Sequence, residues 1–98
     1  MILYTFPMNK YLVEFMGTLL LSFVISSTNN YLAIGAALSV AVFLGGVISG
    51  GAFNPAIAIT LLSAGKITQN DLIPYILAEI AGGLAGFELA KRVLNRKI

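Results

Sequence analysis

Three stretches of this chain, 11–27, 31–49 and 71–94, are long and predominantly apolar, the first charged only at Glu14 and the second uncharged. A helix needs about 20 apolar residues to cross the hydrocarbon of a bilayer, and each stretch approaches that length. A fold in water would require a polar face on each helix, which these segments lack. Composition agrees, with 58% hydrophobic and 10% charged residues where a soluble domain carries about a quarter charged. The expected fold class is therefore an all-α integral membrane protein of three transmembrane helices, multi-pass in the lipid bilayer. Of the six cations, Lys91, Arg92, Arg96 and Lys97 crowd one end, so the net charge of +2 marks no basic face and no nucleic-acid partner is expected. The chain has no cysteine and no histidine. Thiol chemistry, zinc–thiolate sites and a Ser-His triad are excluded, and no enzyme, metal site or cofactor is expected.

The first stretch, flanked by Lys10, has the outline of a secretory leader. Glu14 inside its apolar core and the hydrophobic chain behind it argue instead for a span. In the second stretch Gly35, Ser39, Gly46 and Gly50 recur near helical spacing, which predicts a narrow face for close helix contact. The third stretch is expected to open with Asp71 as N-cap and Pro74 in the first turn. It carries Ala78, Gly82 and Gly86 on one stripe. Glu88 is placed to pair with Lys91 or Arg92, and the basic tail complements the helix C-terminus.

Between the second and third spans, 50–63 reads as a re-entrant loop and half-helix. Gly50, Gly51, Ala52 and Phe53 lead into Asn54-Pro55-Ala56 and a short apolar run ending at Ser63. Asn is a strong N-cap and Pro fits the first helical position, so a helix starts at Asn54. It is too short to cross a bilayer, which puts its positive N-terminal end near the midplane. Irregular backbone at that depth is tolerated only if it is buried in protein or lines water. Extended backbone before Asn54 offers carbonyl acceptors, and the Asn54 amide has a donor to spare. Acceptors ending in a donor suit a neutral, hydrogen-bonding solute, and a positive helix end repels cations and protons.

The tripeptide alone is in most proteins only a helix start; its setting is more specific. Glu14 and Gly17-Thr18 precede it in the first span, and Tyr75-x-x-Ala78-Glu79-x-x-Gly82 follows in the third. In this order the chain resembles one repeat of the aquaporin, or major intrinsic protein, family, from about Tyr11 to Leu94, and 1–98 is taken as a single such repeat. The resemblance implies three spans and a re-entrant Asn-Pro-Ala half-helix per repeat, with two inverted repeats around each pore. It implies that Asn54 donates to the permeating solute while Pro55 and Ala56 stack on the opposite half's motif. It also makes Glu14 a buried support for the re-entrant loop, and Glu79, where the family often has glutamine, a second scaffold residue. A proton-relay role for Glu14 is the alternative.

Two departures from the family pattern matter. The chain holds one repeat, so the expected pore unit is an antiparallel homodimer of dual topology, with four pores per assembly by family analogy. The family's usual constriction arginine is replaced by Ile57, which Ile34 and Val42 are expected to join in an aliphatic ring. The implied function is passive permeation of water and small neutral solutes such as glycerol. The rival from another class is a non-conducting membrane interaction or scaffold protein, which the glycine stripes suit equally well.

Overall fold

The computed structural model describes residues 9–94; the lead-in before Asn9 and the tail cations Arg96 and Lys97 lie outside the described residues. Four helices follow in order: α1 (Asn9–Ser27), α2 (Tyr31–Ser49), α3 (Pro55–Ser63) and α4 (Gln69–Leu94). Three of them, α1, α2 and α4, are long and apolar enough to span a membrane, whereas α3 has nine residues. The architecture is an all-α, multi-pass membrane fold with one half-length helix.

Contact between α1 and α4 dominates the packing, and the sequence of α4 explains it. Its buried residues Asp71, Tyr75, Glu79, Gly82, Gly86 and Ala90 lie three or four apart and form one face. Gly82 and Gly86 make a G-x-x-x-G pair on that face. A Cβ at Gly82 would strike the Phe15 carbonyl of α1, and one at Gly86 the Leu19 carbonyl. Lipid is as apolar as leucine, so helices gain from such close backbone approach rather than from hiding apolar side chains. The Ser22 hydroxyl completes the seam by donating to the Gly83 carbonyl at 2.6 Å.

The face of α2 that packs differs from the expected one. Ala37, Ala41, Gly45 and Ser49 are buried, whereas Gly35, Ser39 and Gly50 are exposed. A Cβ on Gly35 would meet nothing within 4 Å. Two contacts with α1 set this rotation. Gly45 leaves room for Val13, whose Cγ1 would lie 2.6 Å from a Cβ there, and the Ser49 hydroxyl donates to Glu14 at 2.7 Å. A polar bond at depth outweighs the choice between two small-residue stripes. The start of α2 is capped by Asn30, whose side chain accepts from the Ala33 N–H at 2.9 Å.

The start of α4 also departs from expectation. It begins at Gln69, and Asp71 is its third residue rather than its cap. The Asp71 carboxylate accepts from the Thr68 N–H at 3.2 Å, which is the side-chain half of a capping box with Thr68 at the cap. Pro74 therefore lies inside the helix, where it cannot donate to the carbonyl one turn back. Asp71 also binds Lys10 Nζ at 2.8 Å and the Tyr11 hydroxyl at 2.8 Å, fastening the starts of α1 and α4 together. At the other end of α4, Glu88 pairs with both Lys91 at 3.4 Å and Arg92 at 3.7 Å. Such exposed pairs contribute below about 1 kcal/mol each.

Replacing Gly82 or Gly86 with leucine is expected to wedge α4 off α1 and destabilise the chain by about 1–3 kcal/mol, the cost of overpacking. Melting in detergent checks this, with Gly35→Ala as a control whose midpoint should stay put.

Candidate functional site

The segment from Gly50 to Asn54 holds the fold's unusual backbone. Gly50 caps α2 in the left-handed region with φ 89°, its N–H donating to the Gly46 carbonyl. Gly51 follows at φ 68° and Phe53, which is not a glycine, at φ 57°. Left-handed backbone costs an ordinary residue roughly 1–2 kcal/mol, and the surroundings of Phe53 offset it. Its ring is 1% exposed and lies on Gly17, where any Cβ would overlap the ring.

Hydrogen bonds fix the same segment from three sides. Glu14, fully buried in α1, accepts from the Phe53 N–H at 2.8 Å on one oxygen. Its other oxygen accepts from the Ala52 N–H at 3.2 Å and the Ser49 hydroxyl at 2.7 Å. The Thr18 hydroxyl donates to the Phe53 carbonyl at 3.2 Å, and the Tyr75 hydroxyl donates to the Ser49 carbonyl at 2.6 Å. Glu14 alone meets three of these donors, so it is the main clamp. Thr18 stands midway along the 19 residues of α1, so the loop it holds lies near half the depth of that span.

Asn54 begins α3 in extended backbone, φ −159° and ψ 152°, with Pro55 in the first turn. Its side-chain oxygen accepts from the Ile57 N–H at 3.0 Å. The amide N–H groups of Asn54 have no partner among the described residues, and the residue is exposed. The carbonyls of Gly50, Gly51 and Ala52 likewise accept no hydrogen bond from the described residues. A free donor thus stands on exposed Asn54, next to unpaired acceptors on a strip that runs from exposed Gly50 through half-buried Gly51 to buried Ala52. Ala56 is exposed and Pro55 half-buried beside them, and Ile57 is 41% exposed.

The structure brings Val42 to this loop and leaves Ile34 out. Val42 Cγ2 would sit 3.6 Å from a Cβ on Gly51. Ile34 is two turns earlier on α2, roughly 12 Å along the axis at 1.5 Å per residue. Ile34 and Val42 therefore occupy different depths along α2. Glu79 is buried, and neither of its oxygens has a hydrogen-bond partner; Glu14 is the ionisable group it faces.

Of the loop fasteners, Ser49 has no place in the sequence reading, and Tyr75 stands there only as part of the third-span motif, with no role given. Their signals were a hydroxyl just before the glycine turn and a phenol inside an apolar span. A separate cavity of about 480 Å³ lies behind Phe53, among Val13, Met16, Val40, Leu44 and Leu89. Its wall is apolar and does not include Asn54, so it is no route for a polar solute.

Three spans, with a loop that folds into the bundle and starts a half-helix, define a multi-pass membrane unit with one re-entrant segment. The sequence profile described as major intrinsic protein matches residues 4–98, and the chain belongs to that family. It is 39% identical over 97 residues to glycerol uptake facilitator protein-like 6 of Lactiplantibacillus plantarum, covering 90% of this chain and 45% of that protein. It is 36% identical over 94 residues to aquaporin Z of Brucella melitensis, covering 80% of this chain and 41% of that protein. Identity to aquaglyceroporin AqpS of Rhizobium meliloti is 41% over 61 residues, or 62% of this chain and 26% of that protein. The chain thus spans less than half the length of these curated relatives. No solved structure matches it.

Glu14→Ala would leave the donors of Ala52, Phe53 and Ser49 facing a void. A buried donor without a partner costs about 1–3 kcal/mol, so this variant should lose at least about 3 kcal/mol. Limited proteolysis next to Phe53, together with the melting midpoint, checks that outcome.

Proposed function

We propose that the chain forms a transmembrane channel for passive permeation of water and small neutral solutes such as glycerol. In this reading two copies pair in inverted orientation and bring two Asn54-Pro55-Ala56 segments together at the bilayer centre. The observation that carries it is the exposed, unpaired amide of Asn54 beside free loop carbonyls at mid-depth. Lipid cannot satisfy such groups, whereas a file of water can. Membership of the major intrinsic protein family supports a channel, and the printed names of the relatives include glycerol facilitators and aquaporins.

The roles follow from position. The carbonyls of Gly50, Gly51 and Ala52 accept from the solute, Asn54 donates to it, and Phe53 anchors the strip that holds them. Ile57 and Val42 line the path near its centre, and Ile34 lines it nearer a mouth. Glu14 and Glu79 support the loop from behind. With Ile57 where the family's arginine usually stands, exclusion of cations falls on the N-termini of the paired α3 helices. That favours a pore tolerant of neutral solutes larger than water.

Inverted pairing follows from span number. Three crossings bring α4 out on the side opposite the start of α1, and a half-helix entering from the far side requires an inverted copy. Among the described residues Lys10 and Lys66 face one side and Lys91 and Arg92 the other. That balance leaves little bias for one orientation. Four such pores, hence eight chains, would complete the assembly by analogy with the family.

Two measurements test the proposal. Proteoliposomes of the purified chain should shrink osmotically faster than empty liposomes; equal rates would instead favour the scaffold reading, which the unpacked stripe of Gly35 and Ser39 suits. In the same vesicles Asn54→Asp should raise cation and proton leak by roughly tenfold, about 1.4 kcal/mol of barrier. An unchanged leak counts against the central barrier. Single cysteines at Asn29 and at Lys66, in a chain with no native cysteine, should each label partly from either face of intact vesicles. Labelling from one face only would overturn the inverted pair.

A further inference from the structure

Glu79 is 2% exposed, and among the described residues its two oxygens are the only fully buried side-chain polar atoms without a hydrogen bond. Its partner is within reach but of the wrong kind for two anions. Glu14 accepts on both oxygens, from Phe53 and from Ala52 with Ser49, three donors that suit the carboxylate form of this member of the pair. We infer that Glu79 is a neutral acid whose O–H donates to Glu14, so that the carboxylate clamping the loop is itself held by a proton-bearing neighbour.

The alternatives fail on chemistry. A charged Glu79 would be a desolvated carboxylate with no donor aimed at it, beside a second carboxylate. Among the described residues no cation forms an ion pair with it. Lys10 is bound to Asp71 at 2.8 Å, and the Tyr11 hydroxyl is spent on the same carboxylate. Tyr75, on its own helix, donates to the Ser49 carbonyl, and Ser49 from α2 donates to Glu14. Neither α3 nor the loop before it carries an ionisable residue. A carboxylate has about four acceptor sites. Three are taken on Glu14, which leaves one for the Glu79 proton. In this arrangement Glu79 is a positioning residue: it touches no solute and acts through Glu14.

The flux arm of the test rests on the channel reading, whereas the spectroscopic arm does not. In lipid at neutral pH the wild-type chain should show the infrared carbonyl stretch of a protonated carboxylic acid, and Glu79→Gln should lose it. Glutamine keeps the shape and an N–H donor, so that variant should hold water flux within about twofold of wild type. Glu79→Leu keeps the bulk without a donor and should lower flux by about tenfold or more. Absence of the band in wild type, its persistence in Glu79→Gln, or full flux in Glu79→Leu would overturn the inference. The infrared comparison of wild type with Glu79→Gln decides the point even if the leucine variant does not fold. A band that obeys the expectation in a chain without water flux would sink the channel reading and leave the proton in place.

Discussion

A carboxylate inside a bilayer is costly unless donors surround it, and irregular backbone inside a bilayer is costly unless acceptors meet it. Glu14 and the Ala52–Phe53 amides resolve each other's problem. The acid has three donors and no cation, and the loop has a single acceptor group that serves two successive N–H bonds and the Ser49 hydroxyl. Remove either side and the other is left buried without a partner. That mutual dependence explains why an ionisable residue stands in a span that otherwise reads as plain hydrocarbon filler.

Much of the remaining packing arranges access to this clamp. The first span is its base, so both other spans must approach α1 closely. Gly82 and Gly86 let α4 touch the α1 backbone, and Gly45 admits Val13. Gly17 removes the side chain that would stand where the Phe53 ring lies. The left-handed backbone of Phe53 is the conformational cost of seating that ring while its N–H reaches Glu14 and its carbonyl reaches Thr18. Small residues in this fold mark where the loop and its supports converge, and they do more than ease helix contact in general.

This division shows which parts of the molecule are legible in a sequence. Three apolar stretches and an Asn-Pro helix start carry local, one-dimensional signals, and the spans and half-helix follow from them. The faces of those helices do not. α2 offers two stripes of small residues, and the bond from Ser49 to Glu14, made between residues 35 apart, selects the one that packs. Asp71 makes the side-chain half of a capping box, as an aspartate in the place usual for glutamate, so the cap falls at Thr68, three residues before Asp71. The left-handed Phe53 runs against its residue type and is fixed only by tertiary contacts. Among the candidate pore residues, Asn54 is legible because its type, its proline neighbour and its place in the chain agree. Ile34 and Val42 are expected in one ring by resemblance, and helix rise separates them along α2.

The distribution of unsatisfied groups says where this surface needs something other than lipid. Outward residues such as Leu32, Phe43 and Val47 on α2, and Leu77 and Leu84 on α4, are exposed and suit hydrocarbon. Two outward hydroxyls within helices are self-contained: Ser39 donates to the Gly35 carbonyl at 2.8 Å and Thr60 to the Ala56 carbonyl at 3.1 Å. The Asn54 amide and the carbonyls of Gly50, Gly51 and Ala52 have no such internal partner among the described residues. The strip that Glu14 holds in place therefore carries polar groups that suit water or a second protein surface. One buried acid both pins that strip and, by taking up its inward N–H groups, turns its remaining polarity outward.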